Sequence, residues 1–107
     1  MKTVDVYVPA LGRSLAARPG TSDERVIADC FTGGYHLPGE PLDPANVLDL
    51  GANCGATAAH YRHLWPRALV VAIEMDADNY RMLELNSPGS NVCAAVAAES
   101  GMRHYDP

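Results

Sequence analysis

Two glycines four positions apart, Gly51 and Gly55, follow a short apolar run carrying one acid, Asp49, in the stretch VLDLGANCGATAAHY. A turn that bare, entered from a strand and left through an alanine-rich run, lets a ligand approach the main chain or lets the chain adopt positive φ. The same glycines would also serve a tight turn that binds nothing. A phosphate-gripping loop would read GxxxxGK[ST] and a dinucleotide turn GxGxxG, whereas this turn reads GANCG, and neither lysine nor arginine occurs from Val47 to Tyr61. A pyrophosphate would meet only a helix dipole worth about 0.3–1 kcal/mol, without a counter-charge. A cation suits the place better, because Asp49 stands near the end of the incoming strand. Glu74 follows Gly55 by 19 residues, at the end of a second apolar run, where parallel sheets place an acid that accepts ribose hydroxyls. Charge-assisted bonds of that kind contribute roughly 1.5–3 kcal/mol each before desolvation. The plainer reading of Glu74 is an acid facing water at a strand end.

The elements that must hold these residues follow from periodicity. TVDVYV at 3–8 alternates strictly, with Val4, Val6 and Val8 on one face and Thr3, Asp5 and Tyr7 on the other, the period of a half-buried strand. Pro9 ends it, Gly12 marks a turn, and RSLAAR is expected to return as a second strand. In GTSDERVIADCF, Thr21 and Glu24 have capping-box spacing, and Asp23 and Glu24 place negative charge in the first helical turn. Val26, Ile27, Cys30 and Phe31 form an apolar stripe, and Gly33 with Gly34 stops the helix. YHLPGEPLDPAN, with three prolines and one glycine, is a loop. VLDL then reads as a strand buried on both faces. After the glycine turn, Thr57, Tyr61, Leu64 and Trp65 share one face of a helix closed by Pro66, which leaves His60 and His63 on its outer, solvated part. ALVVAI at 68–73 is a second buried strand, Asp76 caps a third helix in DADNYRMLELN, and SPGSN turns into a third strand at 91–98. ESGMRHYDP reads as a turn and the start of another strand. Strands alternating with helices imply a parallel sheet with right-handed crossovers. The expectation is an α/β fold: a partial Rossmann-like sheet over residues 45–107, preceded over 1–44 by a hairpin, helix and loop, all in one structural unit.

A ligand with a ribose, a positive centre and no phosphate describes S-adenosylmethionine. VLDLGANCGATAAHY followed by VVAIEMDADNYRMLELN resembles motif I and the acidic post-motif of class I methyltransferases, and among them the FkbM type. In that family the turn reads D-x-G-A-N-x-G and the next strand ends F/I-E-x-D-x-x-N. GTSDERVIADCFTGGYHLP is similar to the helix and G-x-Y loop that precede motif I there, so the resemblance spans residues 18–107. It implies O-methylation of a small molecule, a sugar or polyketide hydroxyl, with S-adenosylmethionine as cofactor. Gly51, Ala52, Asn53 and Gly55 would wrap its methionine and ribose portions, and Asp49 would orient the turn. Glu74 would hold the ribose hydroxyls, with Met75 and Asp76 alongside the adenine and Ala97 near its other face. Tyr35 and His36 would close over the methionine end. No catalytic base is assigned. The family's sheet has seven strands, and this chain carries material for the first three. The later strand with the pattern D-x-E-G-x-E is not in it, as expected of a fragment, a truncated reading frame or a half needing a partner. The first strand would then have an open edge on which the chain could self-associate. Two other classes remain: a non-catalytic module that holds the nucleoside, and an NAD-dependent oxidoreductase, against which the missing GxGxxG counts.

Bulk composition narrows the partners. The 107 residues are 48% hydrophobic and 20% charged, enough for one small domain that buries roughly two-thirds of its unfolded surface. A net charge of -5, from eight basic against thirteen acidic residues, argues against nucleic-acid binding through phosphate neutralisation. No window is apolar enough to span a bilayer, and Asp5 and Pro9 interrupt the N-terminus before a signal-peptide core could form. A cytoplasmic protein without a membrane partner is therefore expected. Cys30, Cys54 and Cys93 are odd in number and far apart, which supports neither a disulfide framework nor a CxxC metal site. They read as reduced thiols acting as small hydrophobes. Cys54 could have a lowered pKa at a helix start, but no histidine is tied to it, so a spacer role is expected. His60 and His63 lack a third ligand at a suggestive spacing, so no metal is expected, and His104 carries no signal.

Overall fold

The computed structural model describes residues 1–96. The expected role of Ala97, residues 97 and 98 of the expected third strand, His104 and the expected terminal strand lie outside the described residues; within them the third strand is shorter than expected, ending at Cys93, with Ala94 to Val96 not in strand. Val4–Val8 (β1) and Arg13–Ala17 (β2) pair antiparallel, Val4 opposite Ala17 and Val8 opposite Arg13, so the expected hairpin forms. The Val8 carbonyl closes it by accepting from the backbone N–H groups of Leu11 and Gly12, both at 3.0 Å.

Helix α1 runs Asp23–Gly33 and stops at Gly34, which takes φ of 59°, the left-handed conformation that glycine adopts at helix ends. The expected capping box does not form. Thr21 Oγ1 donates instead to the Arg18 carbonyl at 2.8 Å, and Ser22 occupies the cap position without a side-chain bond. Among the described residues Thr21 Oγ1 accepts only from the Asp23 N–H, at 3.2 Å, and Arg18 ties down the helix start: its Nε and Nη2 donate to the Asp23 carboxylate at 2.8 and 2.9 Å, and its backbone N–H donates at 3.0 Å. Burial acts to raise the Asp23 pKa, and the Arg18 bonds outweigh it, leaving the carboxyl below its ordinary value.

After the loop come Asn46–Leu50 (β3), Ala56–Leu64 (α2), Leu69–Glu74 (β4), Ala77–Asn86 (α3) and Ser90–Cys93 (β5). Asp76 caps α3 as expected, accepting from the backbone N–H groups of Asp78 and Asn79 at 3.0 and 2.9 Å. The three later strands form one parallel sheet in the order β3-β4-β5, with Leu50 opposite Ile73 and Glu74 opposite Cys93. The chain is thus an α/β protein whose sheet has the arrangement of part of a Rossmann-like fold. Among the described residues β3 has a strand neighbour on one side only, so the expected open edge is present.

Two expectations about burial fail for one reason. The expected strand VLDL is not covered on both faces: Leu48 is 60% and Leu50 52% exposed. Helices α2 and α3 lie on the same side of the sheet, where Ala58, Ala72 and Leu83 pack together, while Leu48, Leu50 and Val92 are exposed. Crowding on the covered side also turns α2. Its buried residues are Ala56, Ala58, Ala59 and His60, whereas Leu64 is exposed. The neighbouring helix comes so close that a Cβ on Gly55 would stand 3.0 Å from the Leu83 Cα, so alanine methyls fill the space that larger side chains were expected to fill.

The hairpin and α1 share a core with the glycine turn and the helices that cover the sheet, because Val8, Leu15, Ile27 and Cys30 cluster with Cys54, Ala59 and Met82. Asn86 clamps the two parts together. Its amide nitrogen donates to the carbonyls of Ala16 and Cys54, both at 2.9 Å, and its oxygen accepts from the Ala16 N–H at 2.7 Å.

Candidate functional site at the sheet rim

Strand β3 delivers Asp49 and Leu50 to the glycine turn, and hydrogen bonds to the adjacent strand fold the turn back. The Ile73 carbonyl accepts from the N–H groups of both Gly51 and Ala52 at 2.9 Å. Gly51 has φ of 75°, and Asn53, at 53°, is a non-glycine in the left-handed region. A Cβ on Gly51 would meet nothing within 4 Å, so its backbone faces open space. Gly55 is different, with φ of 96° and α3 packed against it. Of the two glycines read together from sequence, one borders a cavity and the other makes room for a helix.

Glu74 is buried, not the solvent-facing acid of the plainer reading. Its Oε1 accepts from the Asn53 N–H at 2.7 Å and its Oε2 from the Asp76 N–H at 3.0 Å. The carboxylate therefore ties the glycine turn to the start of α3. A carboxylate offers about four lone-pair sites, so each oxygen keeps capacity for one further donor. Asp49 is also buried, and it accepts from Thr57 Oγ1 on α2 at 2.6 Å. Among the described residues it has no ion-pair partner. Burial pushes its pKa above the ordinary carboxylate value, against the smaller effects of the Thr57 bond and His36.

Two cavities flank the turn, and Leu50 and Gly51 line both. The first, of about 330 Å³, has Asp49, Ala52, Asn53 and Thr57 on one side and Tyr35, His36 and Tyr61 on another. The second, of about 310 Å³, is bounded by Ile73, Glu74, Met75, Ala94 and Val96. The structure thus brings most of the sequence-derived residues to one rim. Asp76 is occupied as the α3 cap, Gly55 lines neither cavity, and Ala97 is outside the described residues. Among the described residues, neither cavity is lined by a lysine or arginine. The nearest arginine in sequence, Arg62, is held near the opposite end of the sheet, where Nη2 donates to the Val70 carbonyl at 2.9 Å and Nη1 to Ser87 Oγ at 2.7 Å.

A thiolate role for Cys54 is disfavoured. The residue is fully buried, and burial raises its pKa instead of the helix start lowering it. His60 corrects another expectation, since it is buried and its Nδ1 lies 2.8 Å from His36 Nε2. Cys30 Sγ is 3.6 Å from the same His36 nitrogen, and burial pushes its thiol pKa up to about 12. Sequence spacing carried no signal for this group, because its members come from α1, the loop and α2. Compared with known families, curated proteins and solved structures, the chain matches no family model and has no significant match to a curated protein or a solved structure.

Proposed function

We propose that the rim binds S-adenosylmethionine and that the chain is the cofactor-binding part of a class I, FkbM-type methyltransferase acting on a small-molecule hydroxyl. The observation that carries this reading is Asp49. Among the described residues it is a buried carboxylate without a basic ion-pair partner, beside an open glycine backbone, in a cavity that no lysine or arginine borders. A buried charge costs free energy unless it is compensated, and a ligand carrying an ammonium and a sulfonium compensates it where a phosphate would not. In this reading Asp49 and the Gly51 backbone take the amino-acid portion, and Glu74 takes ribose hydroxyls on its remaining lone pairs. Met75 borders the adenine, and the acceptor enters beside Tyr35 and His36. The chemistry supplied by the bound cofactor is a methyl carbon on sulfonium sulfur. Bound there, the cofactor would offer that carbon to an acceptor hydroxyl, with sulfur as the leaving group taking the C–S electron pair and the hydroxyl proton passing to a base. The residues named here contribute chiefly position.

Titration calorimetry with S-adenosylmethionine, S-adenosylhomocysteine and NAD tests the ligand class. Binding of the two adenosyl compounds without NAD is expected, and binding of NAD alone would overturn the proposal. Transfer of labelled methyl to a panel of sugar and polyketide hydroxyls tests turnover. Tight cofactor binding with persistent silence there would favour the non-catalytic module.

A further inference from the structure

We propose that Cys30, His36 and His60 form a zinc site whose open fourth position faces the cavity lined by His36. One thiol sulfur and two imidazole nitrogens, from three separate segments, lie within 4.8 Å of one another. Tetrahedral zinc, with Zn–N near 2.0–2.1 Å and Zn–S near 2.3 Å, spaces two nitrogens about 3.3 Å apart and a sulfur and nitrogen about 3.6 Å apart. Cys30 Sγ and His36 Nε2 already stand 3.6 Å apart. His36 Nε2 and His60 Nδ1, at 2.8 Å, need to part by about half an ångström, and the widest spacing in the group, up to 4.8 Å, needs to close by about 1 Å, for their shared hydrogen bond to be exchanged for two metal bonds.

The surroundings hold these donors in place. Tyr61 Oη donates to the His36 carbonyl at 2.8 Å, anchoring the loop ligand to α2. Phe31 packs on the His60 ring at a centroid distance of 4.8 Å, shielding that side. Cys30 and His60 are buried and His36 is half-buried, so an ion is reached from the side of His36, which lines the cavity with Asp49 and Tyr61. One thiolate with two imidazoles suits zinc and not magnesium or calcium, which take oxygen ligands. Three protein ligands leave the fourth place to water or to a ligand oxygen. Binding forms a sulfur–zinc bond and breaks the S–H bond, releasing one proton to solvent.

The site stands independently of the nucleoside reading, so its test uses the full chain without nucleoside. Chelator-stripped protein is titrated with cobalt(II) as a spectroscopic probe, then with zinc. One equivalent is expected to bind, with a thiolate-to-cobalt charge-transfer band and tetrahedral d–d bands that zinc abolishes. Cys30→Ser should remove the charge-transfer band, and His60→Asn should weaken cobalt binding by more than about 100-fold. Cys93→Ser, at an exposed cysteine, should change neither. X-ray absorption of the zinc-loaded, unsubstituted chain decides the matter if a variant fails to fold. One sulfur at about 2.3 Å with nitrogens at about 2.0 Å supports the site. An all-nitrogen-and-oxygen shell, the lack of stoichiometric binding, or a charge-transfer band that survives Cys30→Ser would overturn it.

Discussion

Asp49 and Glu74 lie near the carboxyl ends of neighbouring parallel strands on either side of the Gly51 turn, and both are buried, yet their charges are met differently. Glu74 accepts two backbone amides, one from the turn and one from the start of α3. Asp49 accepts one hydroxyl and has no cation beside it among the described residues. Amide donors make a buried carboxylate part of the scaffold. A buried carboxylate with fewer partners keeps unmet charge, and its raised pKa is the sign of that. The same division separates the two glycines, since Gly55 accommodates Leu83 and Gly51 faces open space.

Substitutions can break or sharpen this division, and the largest effect is expected at Gly55. An alanine there meets both a φ of 96° and the Leu83 backbone, so Gly55→Ala should cost about 3 kcal/mol or more in denaturant unfolding. Gly51→Ala meets only the conformational cost of about 1–2 kcal/mol. Equal losses at the two positions would erase the distinction between them.

Next comes Glu74→Ala, which strips the acceptor from two amides and should cost about 2–3 kcal/mol. A loss below about 0.5 kcal/mol, with nucleoside binding abolished, would mark Glu74 as a ligand group and not a strut. Asp49→Asn should act in the opposite direction on the fold. The Asp49 pKa in the folded chain lies above the ordinary 3.8. Its contribution is therefore fully present below that ordinary value and is lost as pH rises through the folded one. At neutral pH the amide removes this loss, so the variant should gain about 0.5–2 kcal/mol of stability. The same change should weaken S-adenosylmethionine binding by about tenfold or more, read by calorimetry. A variant that is both less stable and equally competent in binding would contradict the contrast between the two acids. The smallest effect belongs to the uncovered face of the sheet, where Leu48→Ser should stay within about 0.5 kcal/mol because that side chain is 60% exposed.

What the sequence determined by itself was local. Alternation in TVDVYV and the apolar runs of VLDL and ALVVAI placed the strands to within a residue or two, Asp76 announced its helix, and the glycine turn followed β3. These features depend on chemistry within a few residues, so one chain segment carries all the information. The missing capping box shows where a spacing rule stops, because Ser22 takes the cap position while Thr21 Oγ1 donates to the Arg18 carbonyl. Only the tertiary structure decided which face of α2 turns inward, since that depends on how close Leu83 comes to Gly55. The same packing buried His60 and set it against a loop histidine 24 residues away and near a helix cysteine 30 residues away. It also left Leu48 and Leu50 uncovered by putting both crossover helices on one side. Periodicity records that a face is apolar, but what covers it depends on elements distant in the chain, and no spacing rule encodes that distance.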